Sequence, residues 1–263
     1  MKMKLAISGK GGVGKSTIAA ALATLLAEKG QRVLAVDADP VANLASALGI
    51  PGDIQQKIIP ISKQEALIEE RTGAKANQYG QMFTLNPEVS DIAEKYALTH
   101  NGVSLLVLGA VQKGGSGCAC AENTLIRALV SDLILYKDEV LIMDMEAGVE
   151  HLGRATTSGV DAMLIVVEPG QRAVDCANKI IRMAGEINLK RIVLVANKIS
   201  GKADEDFVRQ AFPDYEILAF LPLADAIKTA DRKGISVIEG MPDTLKDQFL
   251  DILARLEKIN IQR

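Results

Sequence analysis

The chain has 263 residues, 48% of them apolar and 24% charged, with a net charge of −3. That is an ordinary globular composition, expected to form a single α/β domain over 1–263 around one generous core. The charge balance supplies no global basic field for nucleic acid or an anionic membrane, and with no Trp and 3% aromatics recognition by aromatic stacking is not expected.

The N-terminal residues 3–8 are an apolar run of strand length with no secretory leader before it, and no run in the chain reaches transmembrane length. A cytoplasmic protein is therefore expected. Residues 9–17 read Gly-Lys-Gly-Gly-Val-Gly-Lys-Ser-Thr, which fills every fixed position of the phosphate-binding loop. An Ala- and Leu-rich helical pattern follows over 16–29, giving the strand–loop–helix order that the chemistry requires. Glycines let backbone N–H groups turn inward, and the helix N-terminus adds partial positive charge. Gly11, Gly12, Val13, Gly14, Lys15, Ser16 and Thr17 are the candidate triphosphate cradle. Lys15 is placed to meet the β and γ phosphates and the Ser16 hydroxyl to complete a magnesium shell. Lys10 is a second lysine in the same loop. It either faces solvent or completes the site of a partner subunit, as an arginine finger does in trans.

A second buried strand, 32–37, ends in Asp37-Ala38-Asp39-Pro40. Acids at the carboxyl end of a parallel strand face the ligand crevice. Asp37 and Asp39 can instead cap a helix expected over 41–48. Residues 49–102 form an irregular insertion of the lid or partner-surface kind, with a short polar helix at 64–71 and a strand-like piece within 79–87. A buried strand over 103–109 leads into a Gly-rich segment containing Cys118 and Cys120, then a helical pattern at 124–135. The apolar run 139–144 ends in Asp144, a Walker B arrangement that places this acid on magnesium. Residues 145–154 read as a second switch, in which Gly148 allows close backbone approach to a γ-phosphate and His151 and Arg154 can move with it.

Alternation continues with a strand at 162–167, a helix at 173–187 and a strand at 191–196 that ends in Asn197-Lys198, similar to the base-recognition element of many loop-type nucleotidases. Leu221, Pro222 and Leu223, after a last strand at 215–220, join Asn197 as candidates for the nucleoside end of the site. Helices are expected at 226–233 and 244–259. Strands alternating with helices indicate one doubly wound, mostly parallel sheet covered on both faces. In the last helix the stripe Leu245, Phe249, Ile252, Leu253 and Leu256 faces away from a polar side of balanced charge. Interfacial helices prefer a basic polar side, so packing on the sheet is expected over membrane binding.

Cys118 and Cys120 are too close for an easy disulfide. Two thiolates are half of a tetrahedral soft-metal site, and a twofold-related subunit is the simplest source of the other half. The alternative is two small core residues, against which the glycines at 114, 115 and 117 argue for an exposed, tightly turning loop.

The loop motif Lys-Gly-Gly-Val-Gly-Lys-Ser at 10–16 resembles the deviant loop of the MinD/ParA/nitrogenase iron protein group of ATPases, which act as nucleotide-dependent dimers. The nitrogenase iron protein carries a cluster cysteine in its second switch; residues 144–154 here contain none. The cysteine pair and the second switch together resemble the carbon monoxide dehydrogenase maturation ATPases of the CooC type, including those serving acetyl-CoA synthase. That resemblance spans the chain and implies a homodimer that depends on nucleotide and metal and binds ATP/ADP and Mg2+. In it Lys10 and Lys15 act on the triphosphate, and Asp39 orients water and assists the metal. It also implies that Cys118 and Cys120 of both subunits bind Ni2+, with Zn2+ as competitor, for a nickel-enzyme client. No nucleic acid or membrane partner is implied. A positioning ATPase acting on membrane or DNA explains the loop and Lys10 equally well, but leaves the cysteine pair idle.

Overall fold

Strands buried on both faces need continuous apolar runs rather than alternation, and β-branched and aliphatic residues supply them here. The computed structural model describes residues 2–75, 81–109, 121–135, 139–149, 152 and 156–261. In chain order these form β1 (Lys4–Gly9), α1 (Lys15–Glu28), β2 (Val33–Ala38), α2 (Leu44–Ala47), α3 (Gly52–Gln55), α4 (Glu65–Thr72), α5 (Ile92–Tyr96), β3 (Leu98–His100) and β4 (Val103–Val107). Then come α6 (Ala121–Leu135), β5 (Val140–Met145), β6 (Ala162–Val167), α7 (Gln171–Glu186), β7 (Ile192–Ile199), α8 (Lys202–Ala211), β8 (Glu216–Pro222), α9 (Asp225–Lys233) and α10 (Asp243–Ile261).

The described strands make one sheet in the order β3-β4-β2-β5-β1-β6-β7-β8. Every neighbouring pair is parallel except β3 with β4. β1, β2, β5 and β6 are buried at every position. The chain leaves β1 for β2, skipping one place that β5 later fills, and then crosses to β6 on the other side. This reversal puts the carboxyl ends of β1, β2 and β5 around one crevice, where doubly wound sheets bind ligands.

One core layer packs α4, α6 and α7 against the sheet through residues such as Ile68, Leu129 and Ile180. The other packs α1 and α10, with Leu22, Leu26, Phe249 and Leu253 at its centre. All five residues of the expected α10 stripe are buried, so that face packs on the protein itself. No helix among the described residues is long and apolar enough to cross a membrane.

Three expectations change. The helix expected at 41–48 is only α2, Leu44–Ala47, because side chains organise the preceding residues into turns: Asp39 Oδ1 accepts from Val41 N–H at 2.9 Å and Asn43 Nδ2 donates to the Val41 carbonyl at 2.7 Å. The strand-like piece within 79–87 has no ladder over its described residues. Thr84 N–H donates once, to the Thr72 carbonyl, and Met82 is 95% exposed. The sheet also gains an antiparallel edge strand, β3, only three residues long, at the end of the insertion.

Candidate nucleotide-binding site

The loop between β1 and α1 is held open by backbone geometry. Gly14 caps α1 at φ +102°, and no side chain caps the helix, so the first-turn N–H groups are left for a ligand. Gly11, Gly12, Gly14, Lys15, Ser16 and Thr17 line a cavity of about 530 Å3. Its walls continue through Asp39, Val41, Asn43 and Ser46 on one side and through Ile227, Lys228, Asp231, Ile235 and Val237 on the other. The α9 wall was not expected from sequence; the apolar Ile227, Ile235 and Val237 beyond the last strand were its only signal.

Lys15 is buried, and its Nζ lies 3.7 Å from Asp39 Oδ2. The two charges face each other across the phosphate end of the cavity. Register explains the acids. Asp37 of β2 pairs with Asp144 of β5, which pairs with Ile7 of β1. Both carboxyls are fully buried. Burial first, and then the Asp144 charge, raise the Asp37 carboxyl to about 7 despite backbone N–H donors from Leu44 and Asp39. Those donors, at 2.9 and 3.2 Å, show Asp37 tying the turn to the start of α2. Asp144 is raised to about 6, again by burial, with Ser16 and Lys15 pulling the other way and Asp39 reinforcing the rise.

Neither buried oxygen of Asp144 meets hydrogen-bond geometry, although the Ser16 hydroxyl is close enough to pull the carboxyl's pKa down. A buried carboxylate short of donors is costly, and this one sits beside Ser16, behind the cavity wall rather than in it. An orphaned carboxylate next to a hydroxyl is a donor set suited to a hard divalent cation such as Mg2+.

Of the expected second switch the structure describes residues 145–149 and 152. Gly148 N–H donates to the Glu146 carbonyl at 2.8 Å and to Ser8 Oγ at 3.3 Å. Ser8 Oγ in turn lies 2.7 Å from the Glu146 carbonyl and 3.1 Å from that of Gly148. The buried Ser8 hydroxyl thus staples β1 to this segment, a role that its place in an apolar run concealed. Gly148 is not part of the cavity lining.

A second group gathers on the opposite side of the loop. Gly9 pairs with Val166, and Val167 with Ala196, so Lys10 and Glu168, just past β1 and β6, come beside Asn197 and Lys198 in the last residues of β7. A Cβ on Gly9 would lie 2.4 Å from the Val166 carbonyl oxygen, so only glycine permits this approach. Lys10 Nζ is 3.1 Å from Glu168 Oε1, and Lys198 Nζ is 3.1 Å from Glu168 Oε2 and 2.6 Å from the Gly12 carbonyl. Burial acts to raise the Glu168 carboxyl, but hydrogen bonds from Lys198 and Lys10 outweigh it and hold the carboxyl below its usual range. Asn197 donates through Nδ2 to the Val13 carbonyl at 2.8 Å, so it braces the loop from below and does not line the cavity. At the end of β8, Leu221 belongs to the core while Leu223 is half exposed; Leu221, Pro222 and Leu223 lie outside the cavity wall. Sequence reading did not single out Glu168, and took Lys198 only with Asn197 as part of a base-recognition element.

Cys118, Cys120, His151 and Arg154 lie outside the described residues. Among the described residues no cluster of His, Cys, Asp and Glu is arranged to hold a metal ion.

Comparison with known proteins bears on this arrangement. Residues 4–237 match the family described as the CobQ/CobB/MinD/ParA nucleotide binding domain. The carbon monoxide dehydrogenase accessory protein CooC of Rhodospirillum rubrum is 42% identical over 257 residues, covering 98% of this chain and 97% of its own. A ParA family ATPase from Chlorobium tepidum superposes with a TM-score of 0.69 at 20% identity, over 96% of this chain and 98% of its own. The septum site-determining protein MinD of Pyrococcus horikoshii, solved with Mg-ADP, gives 0.67 at 19% identity, over 98% and 97%. At those identities the two structures bear on the fold alone.

Proposed function

We propose, because the chain belongs to the CobQ/CobB/MinD/ParA nucleotide-binding family and within it to the CooC type, that it is an ATPase serving maturation of a nickel enzyme. The observation that carries the ATPase reading is the presence of Lys15, Ser16 and Asp39 in the cavity lining with the buried Asp144 carboxyl next to Ser16 and Lys15. The N–H groups at the start of α1 and the Lys15 ammonium bind the phosphates. Ser16 and Asp144, with Asp39 on the far side, would hold Mg2+. That ion supplies neutralisation of the charge that builds on the phosphate oxygens. Asp39 Oδ2 lies 3.7 Å from Lys15 Nζ; a triphosphate that engages Lys15 leaves the Asp39 carboxylate available to orient the attacking water.

Lys10 is not among the residues lining its own cavity, which favours a role at a second copy's triphosphate. On this reading two chains close face to face around ATP, and the Cys118 and Cys120 pairs of both form one four-thiolate site. Nickel is the cargo there and zinc its competitor. Hydrolysis separates the subunits and halves the ligand set, and the weakened site gives up its metal to the client, carbon monoxide dehydrogenase or acetyl-CoA synthase. The relative named as a carbon monoxide dehydrogenase accessory protein supports this client class. The test is the nickel stoichiometry of the nucleotide-bound protein. One nickel per dimer in the wild type and none in the Cys118→Ala, Cys120→Ala double variant is expected; an unchanged stoichiometry in the variant would refute the metal site.

A further inference from the structure

Lys10, Glu168 and Lys198 make one charge cluster outside the cavity: two ammonium groups share one carboxylate, each 3.1 Å from a different oxygen. The sharing is unequal in consequence. Lys198 has a second anchor, the Gly12 carbonyl at 2.6 Å, and adopts a left-handed backbone at φ +61°, a conformation seldom kept by a side-chain-bearing residue unless its surroundings hold it there. Among the described residues Lys10 has Glu168 as its one side-chain partner, and it is about one third exposed. Removing Lys10 therefore does not strand a partly buried carboxylate, since Lys198 remains on the other oxygen. The cluster begins with one positive charge in excess and ends as a neutral pair.

We propose that Glu168 is a positioning residue that holds Lys10 within its own chain until the triphosphate of a second copy displaces it. This rests on the reading that Lys10 acts across a dimer interface. A shared carboxylate is a weak competitor for a flexible, partly exposed lysine, and a triphosphate carrying several charges is a strong one. Glu168 thus sets how much nucleotide-loaded partner is needed before Lys10 leaves, while Lys198 keeps the loop carbonyl of Gly12 in place throughout.

The test is sedimentation velocity in Mg2+ and a non-hydrolysable ATP analogue, reading the protein concentration at half-association. Glu168→Gln keeps the shape and removes the charge, and is expected to promote association roughly two- to fivefold per subunit, the range of a partly exposed ion pair. In a symmetric dimer, where both copies release Lys10, that is about four- to twenty-five-fold in the midpoint. In a Lys10→Ala background the same substitution is expected to do nothing. A merely structural Glu168 predicts the opposite sign, poorer association through a loosened loop, and that result would overturn the proposal. So would an equal gain in the Lys10→Ala background. If Lys10→Ala associates like the wild type, the trans reading itself falls and takes the proposal with it. If Lys10→Ala loses association while Glu168→Gln matches the wild type, the proposal falls alone. Glu168→Asp, which keeps the charge but recedes by one methylene, gives a smaller gain in the same direction and carries the test should the Gln chain fail to fold.

Discussion

Gly14 and Asn197 are coupled through space, and a mutant cycle reads the coupling directly. A Cβ added to Gly14 would stand 2.4 Å from Asn197 Nδ2, the atom that donates to the Val13 carbonyl at 2.8 Å. Gly14→Ala therefore has two costs. The backbone at φ +102° is unfavourable to any L side chain, by about 1–2 kcal/mol. The displaced amide also gives up a buried hydrogen bond and leaves a carbonyl without a donor, about 1–3 kcal/mol. Asn197→Ala alone has only the second cost. With Asn197 already truncated the new methyl has room, so adding Gly14→Ala costs only the backbone term. The double variant should be less destabilised than the sum of the singles by about 1–3 kcal/mol, the energy of the shared bond. Urea unfolding of the nucleotide-free protein measures all four corners. Additivity within about 0.5 kcal/mol would show that the glycine serves only its own backbone and that Asn197 does not brace the loop.

Asp144→Asn should stabilise the nucleotide-free protein at pH 8 by about 1–3 kcal/mol, because it removes a charge whose folded pKa of about 6 lies above its unfolded value, and should lower Mg2+-dependent turnover by two orders of magnitude or more (about 10²-fold or greater). The sign with pH follows. Asp37 and Asp144 are both raised, to about 7 and about 6, so the folded state holds more protons than the unfolded chain above about pH 4. Their contribution to stability is therefore fully present below that pH and is lost as pH rises to about 7. The wild-type minus Asp144→Asn stability difference, measured by urea unfolding, should grow more negative from pH 5 to pH 8 without Mg2+; a flat difference contradicts the assignment. Ser8→Ala breaks the hydroxyl link between β1 and the 146–148 segment and should cost about 1–2 kcal/mol, with faster amide exchange confined to that segment. Phe249→Ala empties a fully buried position on α10 and should cost about 3–5 kcal/mol in the same unfolding assay, whereas a stripe reserved for a membrane would lose almost nothing.

The central strands and the phosphate loop were legible because each rests on a local signal. Val33–Ala38 and Val140–Met145 are continuous apolar runs ending in acids, and no other element type buries such a run on both faces so economically. The 9–17 loop carries its geometry in its glycines. What escaped was non-local or ambiguous. α8 has charged residues at five of its ten positions, Lys202, Asp204, Glu205, Asp206 and Arg209, and buries only Val208, so its apolar face is too narrow to announce a helix. β3 is three residues of an edge and owes its existence to β4 beside it. Asn197 was read as facing the base; its contact with the loop, Nδ2 donating to the Val13 carbonyl, depends on β7 lying beside β6, which a single residue does not advertise. The same holds for Glu168, an unremarked acid before Pro169 until β6 lies next to β1.

The loop is therefore gripped from two sides with different chemistry. Toward β2 and β5 it faces buried acids, one of them short of donors, which disfavour the empty state and are relieved by a cation and phosphates. Toward β6 and β7 it is fastened through its own carbonyls, Val13 to Asn197 and Gly12 to Lys198, and through Lys10 to Glu168. Both contacts use carbonyls that a triphosphate, itself an acceptor, does not engage; of the same two peptides, the Val13 N–H donates to the Lys10 carbonyl at 3.3 Å, and the Gly14 N–H, on a residue that lines the cavity, is the one suited to a phosphate. Lys10 is the exception, being joined through a side chain that can leave without disturbing a backbone contact. A loop fastened by its carbonyls and released by one lysine can keep its nucleotide geometry fixed while its outer surface changes partners. That separation is what a cycle of binding, closure and hydrolysis requires of a single short segment.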